Sequence, residues 1–388
     1  MTPKLRFKGF TDDWEQRKFG DVGSVSMCKR IFKDETSDEG DVPFYKIGTF
    51  GGEPDAYISR ALFEEYKNKY SYPEIGAILL SASGTIGRIV EFNGEEAYFQ
   101  DSNIVWLSHD ETVDNKFLKI LYPNVQWDGI EGSTIKRLYN DNFLKTKFML
   151  PKIEEQKKLG KYFEQLDNLI TLHQRKYDQL IKIKKGLCQK LFNQEIRFKL
   201  ISKLDYPDWE NKLLKDILNE YSEINSDSLY EAVSIGSKGI RKRCNIYSKP
   251  LSNDISRNKV IYKSTMIIGM GSKQIDFGFI HEDKENIFSV SPAYTTYQVK
   301  DCLCKYLEEL LTLKNEELSS KCLIVGARQG KSVDKSAFLN SEFRFPCIEE
   351  QKQIVDFLLQ FDKQINIIND EITVLKKIKK GFLQQMFI

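Results

Sequence analysis

Pro151-Lys-Ile-Glu-Glu-Gln-Lys157 opens a stretch that closes on Lys182-Ile-Lys-Lys-Gly-Leu-Cys-Gln-Lys-Leu-Phe192. The same stretch returns as Pro346-Cys-Ile-Glu-Glu-Gln-Lys352, closing on Lys377-Ile-Lys-Lys-Gly-Phe-Leu-Gln-Gln-Met-Phe387. At a constant offset of 195, 17 of 42 positions are identical, far above chance. The offset also carries Asp13-Trp14-Glu15 onto Asp208-Trp209-Glu210, Asp21 onto Asp216, Lys136 onto Lys331, Phe143-Leu144 onto Phe338-Leu339 and Phe148 onto Phe343. A chain that repeats itself in this way is two copies of one structural unit, and the middle of the unit has diverged.

Within the repeated stretch the apolar positions are Leu159, Phe163, Leu166, Ile170, Tyr177, Leu180, Ile183 and Leu187, with His173 in the gap. The second copy repeats the register as Ile354, Leu358, Phe361, Ile365, Ile368, Ile372, Leu375, Ile378 and Phe382. A 4,3 alternation held over several heptads predicts a coiled-coil seam. Proline at 151 and 346 marks each helix start, where its missing N–H is not needed. About 41 residues at 1.5 Å rise make a rod of roughly 60 Å, longer than a domain of this size is wide, so the rod needs a partner. The simplest partner for each helix is the other. Connectivity favours an antiparallel pair, because the second helix then runs back toward the first domain without a long connection. The expected architecture is α+β: two globular domains, 1–150 and 196–345, joined by two long antiparallel coiled-coil helices, 151–195 and 346–388, in a tandem repeat with pseudo-two-fold symmetry. Each globular part mixes short β-rich runs such as Ala77-Ile-Leu-Leu80, Asn103-Ile-Val-Trp-Leu107 and Cys322-Leu-Ile-Val325 with Gly, Ser and Asn turns.

At 388 residues, 41% hydrophobic and 12% aromatic, the chain is ordered and long enough for more than one core. No apolar run is long enough to span a membrane, and the charged start does not read as a secretory signal, so a cytosolic location is expected. Seven cysteines without a C-x-x-C pair read as reduced thiols, and three scattered histidines leave no sequence-local metal site. The net charge of +2 decides nothing about nucleic acid, since clustering matters more than the total.

Catalytic chemistry is missing. No Pro-Pro pair exists to build the tetrapeptide of a base-modifying methyltransferase. The stretch Gly326-Ala-Arg-Gln-Gly330-Lys331-Ser332 is one residue short of a phosphate loop, and the residues after it do not read as a helix. Glu154-Glu155 and Glu349-Glu350 fall at helix starts, where the macrodipole favours carboxylates, so capping is the expected role.

Taken together, these residues resemble the specificity subunit of type I restriction-modification systems. The resemblance covers the whole chain and rests on the opening Pro3-Lys-Leu-Arg-Phe-Lys-Gly-Phe…Asp13-Trp14-Glu15, the twice-used helix start and the Lys-Ile-Lys-Lys-Gly that ends each helix. Gly76-Ala-Ile-Leu-Leu-Ser-Ala-Ser-Gly-Thr-Ile-Gly87 resembles a motif of that family's recognition domains; the comparable Thr265-Met-Ile-Ile-Gly-Met-Gly-Ser-Lys-Gln274 lacks its Ser-Gly-Thr-Ile-Gly core. The resemblance implies two target recognition domains, each reading one half of a split site in double-stranded DNA. It also implies helices that set the spacing and dock two methyltransferase subunits, with restriction/translocase subunits in the full complex. Such a subunit is not itself an enzyme and binds no cofactor; S-adenosylmethionine, ATP and Mg2+ belong to its partners. The alternative is a coiled-coil scaffold that organises protein partners without reading DNA sequence.

Base reading requires donors and acceptors at base edges, and phosphate anchoring requires Lys, Arg and small polar donors. The residues expected to touch DNA in the first domain are Lys29, Arg30, Ser83, Thr85, Arg88, Lys136, Arg137 and Tyr139. In the second they are Lys238, Arg241, Lys242, Arg243, Lys273, Gln274, Arg328, Gln329 and Lys331. Lys136 and Lys331 are related by the repeat, and a shared position suits a phosphate contact, because the bases read by the two copies should differ. The first helix adds ten Lys or Arg against five Asp or Glu over 152–192, with Lys182, Lys184 and Lys185 crowded together, as a solvated face or a DNA- or partner-facing strip.

Overall fold

Both repeated stretches are single long helices, Ile153–Phe192 and Ile348–Met386, in a computed structural model. The structure describes residues 2–132, 136–199, 205–236, 239–243, 254–270, 275–276, 280–282, 286–325 and 331–387. The chain divides into two units, Met1–Gln174 with Asp370–Ile388, and Arg175–Asn369, so each unit owns one end of each long helix.

The first unit is organised around an antiparallel sheet in the order Gly23–Ser26, Ile104–His109, Ile78–Ser81, Ile89–Glu91. Successive side chains on a strand point to opposite faces, so one strand can feed two cores. Val105 and Leu107 enter a core with Ile78, Leu80, Phe117 and Phe148, whereas Ile104 and Trp106 enter another with Ala77, Leu79, Phe63 and Tyr98. Burial on both faces explains why these strands read as unbroken apolar runs rather than alternating ones. A smaller sheet, Tyr57–Ile58 on Val42–Tyr45 on Tyr98–Phe99, flanks the second core, and its last pair is parallel.

The second unit carries a comparable sheet. Leu218–Glu220 pairs with Thr295–Val299, which pairs with Thr265–Met270, and the short strands Ile275–Asp276 and Ile280–His281 both lie on Thr265–Met270. Two-stranded ladders join Val233–Gly236 to Gly239–Lys242, Lys259–Ile261 to Phe288–Val290, and Leu323–Val325 to Lys331–Val333.

The neck of each head is the same construction. Glu15–Lys18 pairs antiparallel with Lys147–Leu150, and Glu210–Leu213 with Glu342–Phe345, in registers that superpose at the 195-residue offset. The long helices run antiparallel. Leu159 and Phe163, early in the first helix, share the first unit's core with Met386 at the end of the second. In the second unit Cys188 and Leu191, late in the first helix, share a core with Ile354 and Leu358, early in the second. The C-terminal end is held by Leu5 N donating to Gln385 O at 2.9 Å and by Phe387 stacked on Phe117 at 5.8 Å.

The seam departs from a strict 4,3 register at one place, and does so in both copies. Ile183 and Ile378, equivalent by the repeat, are 50% and 40% exposed rather than inward-facing. The next residues, Lys184 and Lys379, take the inward place and bind Asp362 and Asp167 at 2.7 and 2.6 Å. An α-helix has 3.6 residues per turn, so a 3.5 repeat drifts by about 20° per heptad, and one extra step of four re-aligns the stripe. Lys184 is therefore neither part of a solvated face nor of a DNA-facing strip.

Candidate nucleic-acid interface

The repeated helix start is a clasp that holds each head to the helix it leads into. Glu155 is 1% exposed and accepts from Arg6 Nε and Nη2, both at 2.7 Å, and from Trp14 Nε1 at 3.2 Å. In the second unit Glu350, 0% exposed, accepts from Arg197 Nε at 3.1 Å, Arg197 Nη2 at 2.7 Å and Trp209 Nε1 at 3.0 Å. Phe7 packs edge-on to Tyr162 and Phe198 to Phe357, each at 5.5 Å. The hydrogen bonds that Arg6 and Arg197 donate to Glu155 and Glu350 hold these guanidinium groups above their ordinary range. These carboxylates thus do more than cap: each is buried and neutralises a half-buried arginine with a two-pronged bond, the strong geometry for this pair.

The adjacent glutamine fixes a second helix. Gln156 Oε1 accepts from Asp114 N at 2.9 Å and Gln156 Nε2 donates to Pro151 O at 2.8 Å; Asp114 caps the helix Asn115–Leu121. Gln351 repeats this with Leu303 N at 2.9 Å and Pro346 O at 3.0 Å, ahead of the helix Cys304–Leu313. The Pro, second Glu and Gln of the repeated motif are accounted for by the joint between head and helix.

On this common frame the two units carry different polar loops. In the first, loop 100–103 is a hub. Arg30 Nε donates to Asp101 Oδ2 at 2.9 Å. Asn103 Oδ1 accepts from Ser83 Oγ at 2.8 Å and Arg137 Nη2 at 3.3 Å, and Asn103 O accepts from Ala82 N at 2.7 Å. Ser102, between the two, has φ 52°, a left-handed conformation uncommon for a residue with a Cβ. Gly84 N donates to Lys136 O at 2.9 Å, which stitches the Ser-Gly-Thr loop to the segment carrying Arg137. Beside the hub lies an open groove of about 630 Å3 lined by Ser102, Glu131, Arg137, Tyr139, Asn142 and Lys145, among others.

Of the residues expected to touch DNA, Arg30, Ser83, Arg137 and the Lys136 carbonyl are thus brought together in one network, and Tyr139, 48% exposed, lines the groove. Ser83 itself is buried and its hydroxyl is used on Asn103, so it supports the loop instead of presenting a donor. Lys29 lies over the Tyr70 ring at 5.1 Å, and Arg88 Nη1 is bound to Phe50 O at 2.9 Å. Thr85 is exposed, and its carbonyl accepts from Ser81 Oγ.

In the second unit Arg241 and Lys242 lie on a hairpin, with Arg241 opposite Ser234 and Lys242 opposite Val233. Both are exposed, Lys242 Nζ sits 2.7 Å from Glu231, and Arg243 is half-buried with its N–H on Ala232 O. Lys331 begins the strand Lys331–Val333, so the stretch that approximates a phosphate loop leads into a strand and not a helix. Lys238, Lys273, Gln274, Arg328 and Gln329 lie outside the described residues.

Two groups escape a reading by sequence. Arg197 is the counterpart of Arg6, signalled by Arg-Phe-Lys at both 6–8 and 197–199, but at an offset of 191 rather than 195, because four residues are inserted before Trp209. Asn103 stands at the head of an apolar run and is easily taken for its boundary, although a polar Asp-Ser-Asn between two buried strands marks a loop able to collect side chains.

The family described as the type I restriction modification DNA specificity domain matches twice, over residues 11–182 and 206–377. The chain belongs to that family. A chain of Haemophilus influenzae bearing the name type I restriction enzyme specificity subunit S.HindORF215P is 59% identical over 158 residues, which are 40% of this chain and only 41% of that relative's length. The MjaX specificity subunit of Methanocaldococcus jannaschii is 23% identical and is covered nearly end to end, 96% of this chain against 92% of that one. Among solved structures, the type I restriction-modification system S subunit from M. genitalium has a TM-score of 0.62 at 14% identity, covering 100% of this chain and 99% of that chain. That likeness places the specificity-domain chain in the same fold.

Among the described residues no helix is long and apolar enough to cross a membrane, and no group of three or more His, Cys, Asp or Glu is placed to hold a metal ion.

Proposed function

We propose that this chain is the DNA-reading subunit of a type I restriction-modification complex. Each head reads one half of a bipartite site, and the antiparallel helices set the distance between halves. The observation that carries this reading is a constant joint beneath divergent loops: Arg–Glu–Trp and Pro–Gln contacts recur in both units, whereas among the described residues the Asn103 hub of the first and the Arg241–Lys242 hairpin of the second have no counterpart in each other. A protein that must present two different reading surfaces in one fixed relation needs that combination. Forty helical residues at 1.5 Å rise span roughly 60 Å, or about 18 base pairs at 3.4 Å each, an upper bound on half-site separation. Two methyltransferase subunits dock on the helices, restriction/translocase subunits complete the assembly, and S-adenosylmethionine, ATP and Mg2+ act on those partners, so this chain contributes recognition and no bond-breaking step.

The test is selection of bound duplexes from a random library by the chain co-expressed with its methyltransferase subunit, at one stated salt concentration because phosphate contacts make affinity steeply salt-dependent. A two-part motif with an unspecified spacer is expected. Random sequence recovered from an assembled complex would overturn the reading in favour of a protein scaffold. Exchange of residues 196–345 for the second head of another family member should change one half of the motif only.

A further inference from the structure

We propose that Arg137 is the base-reading residue of the first unit, that it selects a guanine from the major-groove side, and that Asn103 positions it. The proposal rests on the DNA-reading function above and names the group that does the reading in one head.

The cationic candidates of the first unit differ in what already holds them. Arg30 is ion-paired to Asp101 at 2.9 Å, Arg88 is bound to a backbone carbonyl, and Lys29 covers a tyrosine ring. Arg137, like Arg88, is held by a neutral amide oxygen, here Asn103 Oδ1, and among the described residues no carboxylate lies within ion-pair distance of its guanidinium; of these two arginines it is Arg137 that lines the groove. Its positive charge is therefore oriented without being cancelled. The backbone that carries Arg137 is fixed from several sides. Arg137 N and O both pair with Glu131, at 2.8 and 3.1 Å, and Leu138 N donates to Ala82 O at 2.8 Å. Asn103 is braced in turn by the buried Ser83 hydroxyl and by its own carbonyl on Ala82. A donor held in place before its ligand arrives loses less freedom on binding than a mobile one.

The chemistry fits guanine. A guanidinium is planar, carries five N–H groups, and matches the O6 and N7 acceptors that guanine shows in the major groove. One N–H of Nη2 is used on Asn103, which leaves the others for a base edge. Arg137 forms part of the wall of the 630 Å3 groove, where Tyr139, Asn142 and Lys145 supply further polar groups. Among the described residues the arrangement has no counterpart in the other head: at the repeat offset of 195 Arg137 corresponds to Ser332, and the pairings of Gly23 with His109 and Leu218 with Val299 bring Asn103 onto Ala293. A base-reading residue is expected to differ between heads that read different half-sites, whereas the clasp residues recur.

The test compares duplexes selected by the methyltransferase complex of the wild-type chain with those selected by Arg137→Gln, Arg137→Ala and Asn103→Ala. Glutamine suits the N6 and N7 edge of adenine, so Arg137→Gln should exchange a preferred G·C pair for A·T at one position of one half-site. Arg137→Ala should reduce discrimination at that position by roughly ten- to hundredfold, and Asn103→Ala should weaken it at the same base pair alone. The half-site read by the second head should be unchanged throughout. Weaker binding spread evenly over all sequences would make Arg137 a phosphate contact and overturn the proposal. An unchanged motif, or loss of the whole first half in both Arg137 variants with no exchange of base, would overturn it equally. If the wild-type complex selects no motif at all, the DNA-reading function itself fails, and this proposal with it.

Discussion

Replacing Glu350 by alanine tests whether the clasp holds the second unit together. Glu350 is fully buried and accepts three hydrogen bonds, two of them from the Arg197 guanidinium and one from the Trp209 indole. Removal of one partner of a buried, hydrogen-bonded ion pair costs about 3–5 kcal/mol, mainly because the remaining charge stays buried and unpaired. Arg197 is 24% exposed and can recover some hydration, which reduces the expected loss to about 2–4 kcal/mol. For a unit of this size each kcal/mol lowers the melting temperature by about 2–4 °C, so a fall of roughly 5–15 °C is expected in the transition of the second unit. Calorimetry of the purified chain measures it, and Glu155→Ala provides the mirror experiment, lowering the transition of the other unit. The pair Glu350→Gln with Arg197→Met should cost less than Glu350→Ala alone, since it leaves no orphaned charge. A shift below about 2 °C for Glu350→Ala, or the same transition lowered by Glu155→Ala and Glu350→Ala, would refute the reasoning.

Gly160→Ala should destabilise the first unit by about 1–3 kcal/mol in urea unfolding, because its new Cβ would lie 2.6 Å from Lys116 Cβ. Gly186→Ala and Gly381→Ala meet nothing within 4 Å in the isolated chain and should stabilise it by up to about 1 kcal/mol each, through the helix propensity of alanine. Lys184→Met should cost more than Lys379→Met, because Lys184 binds both Glu309 at 2.9 Å and Asp362 at 2.7 Å whereas Lys379 binds Asp167. Burial alone would lower the Lys184 ammonium, but its bonds to Asp362 and Glu309 outweigh that and hold it above its ordinary value of 10.5. A raised lysine contributes stability below its unfolded value and loses it as pH climbs through the folded one, so second-unit stability should fall in the window above pH 10.5. Lys184→Met should make that alkaline fall shallower in pH-dependent unfolding, and an unchanged slope would show that the network is not coupled to folding.

The parts of the fold written in short-range pattern are legible in the sequence. The helices are periodic, the buried strands are apolar runs, and the repeat makes each observation twice. The seam differs from its heptad count only at Ile183 and Ile378, because such a count cannot register the cumulative drift of a 3.6-residue turn. The candidate site is harder to foresee because its assembly is non-local. Asn103 meets Ser83 and Arg137 across separations of 20 and 34 residues, and no spacing rule connects them. Basic residues are visible as such, yet charge in a sequence does not reveal its partner: Arg30 is neutralised by Asp101 and Lys242 by Glu231, while Arg137 is held by an amide. The clasp arginine Arg197 is hidden by an insertion that breaks a strict offset.

The clasps also bear on how such a chain can change over generations. Each copy supplies its own hydrogen bonds at the joint: Arg6 and Trp14 meet Glu155, and Arg197 and Trp209 meet Glu350, so neither glutamate draws a donor from the other copy. The residues that brace Arg137 share none with the joint. Recombination that replaces everything between Trp209 and Phe345 therefore keeps the Arg197–Glu350–Trp209 part of the attachment. The residues that close the joint and the residues that form the polar loops are physically separate, so on the proposed function one reading surface could be rewritten while the other is left as it is.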